Sequence, residues 1–327
     1  MIQVKFSRLS LYLNWTAGVL CLRIYFNNLF QKKVIISLTE HIGDIVACEP
    51  IIRQVRKDNP RKKIYWIINH RYADLLKYNI DLDGFYTVHS LSQWILTRRY
   101  LIFPKYITIL DLHLNNRVCS KYNLILNNPN QQGITLQNYF DYGSILYVFS
   151  KCVNLKIEDE QPRFHIEDSE KLPIEIPNKY IVVHVRSNEE TRNWELDKWH
   201  KLLSLIITKY PNLAIVSIGK ECDIVKNHSN FYDCTGILNF NQIAKVIKNA
   251  TLFIGVESAF GHFANALNTR SVILSGVYRT FVKYFPYSGW FSQSINFQVI
   301  QHNDIVKNIQ VETVLEKVKY LLNEKEN

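Results

Sequence analysis

Residues 249–277 read NATLFIGVESAFGHFANALNTRSVILSGV, and the rest of the chain is understood outward from them. Leu252-Phe253-Ile254 is a short apolar run. Gly255, Glu257 and Ser258 come next, and then Phe260, Phe263, Ala264 and Leu267 recur at helical spacing. Val272-Ile273-Leu274 is a second apolar run, closed by Ser275-Gly276. Strand, tight turn, helix and strand in that order make a parallel βαβ unit. The turn sets a carboxylate, a hydroxyl and backbone N–H groups at a helix N-terminus. Such a terminus has unpaired donors and the positive end of the helix dipole, so it favours bound phosphate. The residues alone leave two readings open. One is a phosphate or nucleotide site; the other has Ser258 capping its helix and Glu257 complementing the dipole.

The same alternation runs through both halves of the chain. Residues 34–38 are a β-rich run that leads through Thr39 to Asp44 into an amphipathic helix. That helix carries Ile45, Val46, Ile51, Ile52 and Val55 on one face, and Asn59-Pro60 ends it. Further strands are predicted at 64–68, 85–88, 107–112 and 124–126. Helices are predicted at 73–78 and 91–103, with a long apolar one over 136–153. Residues 156–178 hold Pro162, Pro173, Pro177 and many carboxylates, which reads as a linker with one short edge strand at 163–166. Alternation restarts with a strand at 180–185, a polar loop, a helix at 196–209 and a strand at 213–218. A turn at 233–236 and a helix at 240–249 precede the opening stretch, and a helix at 311–323 closes the chain. Apolar strands buried on both faces imply two doubly wound parallel sheets, an α/β fold. Ligands in such sheets sit beyond the carboxyl ends of the strands, so the loops after Leu38, Val185, Ile218 and Ile254 are candidates. With two domains, the cleft between them is the default site.

Composition narrows the partners. The chain has 327 residues, 47% hydrophobic and 21% charged, with a formal net charge of +10. That is globular text of two-domain length, and the charge points to anionic partners. No basic stretch interleaved with aromatics matches a nucleic-acid module, so nucleic acid is set aside. The cysteines, Cys21, Cys48, Cys119, Cys152, Cys222 and Cys234, form no CxxC pair and no zinc spacing. No metal site is expected, and a reducing compartment is. Residues 9–22, LSLYLNWTAGVLCL, are apolar but too short to span a bilayer, which needs about 20 apolar residues. Lys5, Arg8, Arg23, Lys32 and Lys33 flank them. A helix packed on the domain surface is the preferred reading, and an interfacial helix on an anionic leaflet is kept as the second.

Three segments together resemble glycosyltransferase family 9, the heptosyltransferases of lipopolysaccharide assembly. VIISLTEHIGDIVACEPIIRQVRKDNP, residues 34–60, is similar to the family's opening strand, loop, Gly-Asp and helix ending in Pro. IVVHVRSNEETRNWELDKWHKLL, residues 181–203, resembles the strand–His–loop–basic–x–Trp–helix stretch that starts its second domain. The third segment runs from Asp233-Cys234-Thr235-Gly236 to Gly276 and carries the strand–Gly–x–[DE]–[ST]–x–x–x–His pattern. The resemblance implies a GT-B fold, two facing Rossmann-like domains. The boundaries expected are a helical leader over 1–33, an acceptor domain over 34–165, a nucleotide-sugar domain over 166–310 and a C-terminal helix over 311–327. It also implies an inverting, metal-independent transfer from an NDP-sugar such as ADP-heptose, with no bound cofactor. The acceptor would be a lipopolysaccharide or another anionic glycolipid or glycan, met in the cytoplasm at the inner membrane. Another GT-B enzyme such as an NDP-sugar epimerase, and a GT-B protein that only binds, are the alternatives.

Inverting transfer needs a base at the attacking hydroxyl and positive potential on the leaving diphosphate. Asp44 matches the family's Gly-Asp and is the expected base; a helix cap is its other reading. His41 is the second candidate base. Arg192 matches the basic position before Trp194 and would hold phosphates bidentately, with Arg186 sharing the role. Ser258, Ala259, Phe260 and Gly261 would supply backbone donors, and His262 matches the family histidine. Glu221 is placed at the ribose. Glu257 departs from the more usual Asp, and Val185-Arg186-Ser187 departs from the small-residue Pro-Gly loop. On the acceptor side the resemblance places His41, Gly43, Arg53, Arg98 and Arg99. The wider basic set adds Arg56, Lys57, Arg61, Lys62, Lys63 and Lys105.

Overall fold

The computed structural model describes residues 2–27, 31–100, 104–119, 122–221, 224, 230–281, 284–293, 298–301 and 303–323. Cys222 and the predicted helical residues 101–103 lie outside them. The chain divides into two compact units, residues 1–142 with 146–159 and residues 143–145 with 160–327.

The first unit opens with helix α1 (Ile2–Phe26) and strand β1 (Lys33–Ser37), followed by α2 (Ile42–Ala47), α3 (Glu49–Asp58), β2 (Lys63–Asn69) and β3 (Gly84–Val88). Helix α4 (Leu91–Tyr100), β4 (Ile107–Asp111), β5 (Arg117–Cys119), β6 (Leu124–Leu126) and α5 (Ile145–Cys152) come after. Its sheet is parallel, in the order β3-β2-β1-β4. β1 is central and buried at every position, which is why it reads as an unbroken Val-Ile-Ile run. α1 lies on this unit through Leu20 and Ile24, which share a core with Trp94, Ile95 and Ile35. The buried Lys33 fastens its end: Nζ donates to the carbonyls of Ile24 at 2.7 Å and Asn27 at 2.5 Å. A cation there meets the negative end of the helix dipole, and burial lowers the Lys33 pKa.

The second unit holds β7 (Tyr180–His184), α6 (Leu196–Lys209), β8 (Ala214–Ser217), β9 (Phe231–Asp233) and α7 (Phe240–Lys248). It continues with β10 (Leu252–Val256), α8 (Ala259–Ala266), β11 (Ser271–Ser275), α9 (Trp290–Gln293), β12 (Gln298–Gln301) and α10 (Val311–Asn323). Its sheet is also wholly parallel, in the order β12-β11-β10-β7-β8-β9. The strand order turns around the β10–β7 pair, and β10 and β11 flank α8 as the opening stretch predicted. α7 begins with a capping box, Asn239 accepting from the Gln242 N–H while Gln242 accepts from the Asn239 N–H. α6 and α10 bury Trp199, Leu202, Val314 and Val318 in one core with β7 and β10.

Several elements differ from the sequence reading. The single helix after β1 is two helices, broken at Cys48 (φ −91°, ψ 5°), with Pro50 in the first turn of the second. Proline cannot donate back into the preceding turn, so the helix restarts there. The long helix over 136–153 is a 3₁₀ turn (Tyr139–Tyr142) and then α5, parted at Gly143, whose φ of +113° no helix accommodates. The helix at 73–78 is a 3₁₀ turn, His70–Leu75. Residues 163–166 form no strand. The short strands β5, β9 and β12 were not expected; three or four residues carry too little periodicity to signal a strand.

Candidate functional site

In the second unit the βαβ turn brings donor-side residues together. β10 delivers Glu257 at its carboxyl end, where the Glu257 N–H still pairs with the Leu274 carbonyl. The side chain is buried, yet its Oε2 lies 2.7 Å from Arg192 Nη1 and accepts from the Tyr284 hydroxyl at 2.6 Å. The Arg192 guanidinium also lies over the Tyr278 ring at 4.0 Å and the Tyr284 ring at 5.5 Å. A buried carboxylate is tolerated only with such a partner and such a donor. Tyr284 is pushed well above its ordinary pKa, first by burial and then by the charge of Glu257. It therefore stays a hydroxyl donor.

Ser258 is the residue before α8, but its side chain does not cap the helix. Its Oγ instead shares a 3.0 Å hydrogen bond with Nδ1 of His184, the last residue of β7. Burial takes His184 down to about 4, so it is neutral at pH 7. Phe260 meets the His184 ring edge-on at 4.7 Å. Of the capping alternatives for this turn, the hydroxyl cap is thus excluded. Ala259 and Phe260 stand in the first turn of α8, and Gly261 N–H turns back to the Ser258 carbonyl at 3.1 Å. Gly261 is required for packing, since a Cβ there would meet the Tyr287 hydroxyl at 2.3 Å. His262 is buried with its ring 4.7 Å from Tyr287. Burial and then the Arg192 cation bring His262 down to about 3. It acts as a neutral imidazole, not a cation for phosphate. His262 Nδ1 and the Tyr287 hydroxyl are buried without a hydrogen-bond partner among the described residues, which is uncommon for buried polar atoms and leaves them available to a ligand or water.

Arg186 is exposed and lines a cavity of about 360 Å³ with Glu190, Trp194, Glu195, Asp197 and Lys307. Glu221 is exposed, 3.5 Å from Lys220. Tyr278, Tyr284 and Tyr287 are site residues the sequence reading passed over. Their signal was the aromatic run in YRTFVKYFPY, just beyond the carboxyl end of β11.

In the first unit the loop after β1 is held at every residue. Leu38 O accepts from Trp66 Nε1 at 3.0 Å, and Thr39 O accepts from the Asn69 N–H. The Thr39 N–H donates to His113 Nε2 at 3.0 Å, and the Thr39 hydroxyl lies at the same distance. With Nε2 accepting, the ring proton sits on Nδ1, which faces Asp111 Oδ1 at 2.7 Å. Asp111 Oδ2 accepts from Trp94 Nε1 at 3.0 Å and Arg98 at 2.5 Å. Burial would raise the Asp111 pKa, but His113, Arg98 and Trp94 outweigh it and hold the carboxylate below its usual range. Arg117 closes the loop, donating to Glu40 Oε2 at 3.2 Å and His41 Nε2 at 2.7 Å. Asp111, His113 and Arg117 were not singled out in the sequence; a D-x-H at a strand's carboxyl end was the available signal.

Asp44 lies in the first turn of α2, partly exposed, after buried Gly43. It is not the cap: His41 precedes the helix, and its side chain makes no capping bond. Of the other acceptor-side residues, Arg53 pairs with Glu49 at 2.9 Å and Asp159 at 2.5 Å, and Arg98 is spent on Asp111. Arg56 and Lys63 share Asp83, and Lys57 pairs with Glu158. Arg61, Arg99 and Lys105 are exposed. Much of the basic set is thus matched within its own unit.

Two Rossmann-like units built on parallel sheets, the second carrying a buried Arg–Glu–Tyr cluster at its central βαβ turn, make a GT-B fold. Residues 143–298 match the model of the family described as glycosyltransferase family 9 (heptosyltransferase), the family that the motifs resemble. The chain is 21% identical over 287 residues to lipopolysaccharide heptosyltransferase 1 of Campylobacter coli, covering 75% of this chain and 84% of that one. In fold it is similar to a glycosyl transferase of family 9 from Veillonella parvula (TM-score 0.64, 16% identity, 90% of this chain and 97% of that one). It is equally similar to the Escherichia coli ADP-heptose lipopolysaccharide heptosyltransferase II (TM-score 0.64, 13% identity, 90% of this chain and all of that one).

Proposed function

We propose that the chain transfers a sugar, a heptose, from an ADP-sugar to a hydroxyl of an anionic cell-envelope glycolipid. The observation that carries the donor half is Arg192, oriented by buried Glu257 and two tyrosines beside α8 in the family 9 domain. A guanidinium has five N–H donors in a fixed fork, and a bond to Glu257 pre-sets its plane for a diphosphate. The first-turn N–H groups of α8 add dipolar donors. The sugar donor is the one in the name of the E. coli relative, and the acceptor class is the one in the names of that protein and the C. coli relative.

The reaction is one displacement. The acceptor hydroxyl oxygen forms a bond to the anomeric carbon as the bond to the diphosphate oxygen breaks. The diphosphate leaves with the electron pair, the hydroxyl proton passes to the Asp44 carboxylate, and the anomeric configuration inverts. Arg192 and the helix donors take up the charge that develops on the leaving group, so no metal ion is assigned a role. Neutral His262 and Tyr287 offer hydrogen-bonding atoms at the same turn.

A panel of nucleotide sugars tests this, with nucleotide release followed with and without a lipopolysaccharide acceptor. Acceptor-dependent release is expected from an ADP-sugar, undiminished by a chelator. Binding without release would make the protein a binding module, and neither with any donor would end the transferase reading.

A further inference from the structure

α1 has two apolar faces, and only one is covered. Leu13, Ala17, Leu20 and Ile24 are buried, packing with Leu96, Trp94 and their neighbours on α4. Tyr12, Trp15, Val19, Leu22 and Phe26 recur at alternating steps of three and four, and all are exposed; Trp15 and Phe26 are each 66% accessible. At 100° per residue they fall within an arc of about 80° on the far side from the buried stripe. Arg23 borders that arc and is exposed, as is Lys32 just beyond the helix. Large apolar side chains left in a row on a surface mark a binding face.

We propose that this stripe lies on an anionic lipid surface, with α1 in the plane of the headgroups. Three observations choose that occupant. The charge is one-sided: Lys5, Arg8, Arg23 and Lys32 stand before residue 40 along with the buried Lys33, and no Asp or Glu does. Anionic headgroups complement such a segment, whereas a second copy of α1 would bring like charges together. The stripe is also rich in Tyr, Trp and Phe, side chains with an apolar body suited to the water–hydrocarbon boundary. A coiled-coil seam would use branched aliphatics flanked by alternating charges. Finally, no helix among the described residues is long and apolar enough to cross a membrane, so the lipid contact proposed is along one face of α1. The β5–β6 hairpin packs beside α1 and has exposed apolar residues of its own. Leu124 packs against the Leu13–Ala17–Leu96 cluster, while the opposed pair Val118 and Ile125 is exposed.

The inference is independent of the sugar-transfer reading, because its test contains neither nucleotide nor acceptor. The purified full chain is floated with phosphatidylglycerol–phosphatidylcholine vesicles and with neutral phosphatidylcholine vesicles. About tenfold stronger binding to the anionic vesicles is expected, weakening as salt rises. Trp15→Glu with Leu22→Glu should reduce it by about tenfold or more, with melting temperature unchanged. Should that pair melt early, Phe26→Ser makes a smaller change in the same stripe and should still weaken flotation. Equal flotation of wild type and stripe variants overturns the proposal, as does failure of the wild type to bind. Concentration-dependent dimerisation that Trp15→Glu abolishes, with no vesicle binding, overturns it in favour of a second copy.

Discussion

Glu257 shows what one methylene does to a site. The family resemblance leads one to expect Asp there, and the longer side chain is what reaches both Arg192 Nη1 and the Tyr284 hydroxyl. Glu257→Gln keeps the shape but leaves a largely buried guanidinium without its counter-charge. Urea unfolding should show a loss of about 2 kcal/mol, and a loss below about 0.5 kcal/mol would mean the pair is not coupled. Arg192→Ala should weaken ADP at least about tenfold by calorimetry, the worth of one charge-assisted hydrogen bond. Unchanged affinity would remove Arg192 from the site. The histidines set a pH window. His184 at about 4 and His262 at about 3 are held below the ordinary value of about 6.5. Between those values the unfolded chain binds more protons than the folded one. Stability is therefore complete above about pH 6.5 and falls as pH drops towards 4, by up to about 1.4 kcal/mol per pH unit for each histidine. The urea midpoint of wild type should slope accordingly, and His184→Asn should have a shallower slope. Parallel slopes would show that His184 is not buried neutral.

At the scale of elements, two close approaches position the sites. α8 comes so near the Tyr287 hydroxyl that Gly261→Ala would place a methyl 2.3 Å from it. Helix propensity alone would favour alanine by about 1 kcal/mol, but the overlap should win and lower stability by about 1–3 kcal/mol. A variant as stable as wild type would mean that Tyr287 moves aside freely. In the first unit, Asp111 and His113 at the end of β4 hold Thr39, and Trp66 and Arg117 hold the residues on either side of it. Asp44 follows in the first turn of α2, so this network fixes the loop that leads into it. These contacts were not legible beforehand, because they join residues far apart in the chain. The helices and strands themselves were legible wherever apolar period and length were strong, as in β1, β10, α6 and α10. The break at Cys48 was missed because the hydrophobic face continues across it, although Pro50 was its signal.

At the scale of the whole molecule, the fold followed from two runs of strand and helix separated by the proline-rich residues 156–178. Short edge strands and the tyrosine segment after β11 stayed hidden, since neither carries a period. Motif residues fared unevenly: Arg192 reaches the turn that carries Glu257, Ser258 and His262, while Arg186 and Glu221 are exposed. The central claim is transfer of a sugar with Asp44 as base. It is tested most directly by ADP release from ADP-heptose in the presence of a lipopolysaccharide acceptor, comparing wild type with Asp44→Asn. The predicted result is release by wild type, a fall of at least about 100-fold in the variant, and unchanged ADP affinity and melting temperature. Undiminished release by Asp44→Asn would contradict the account.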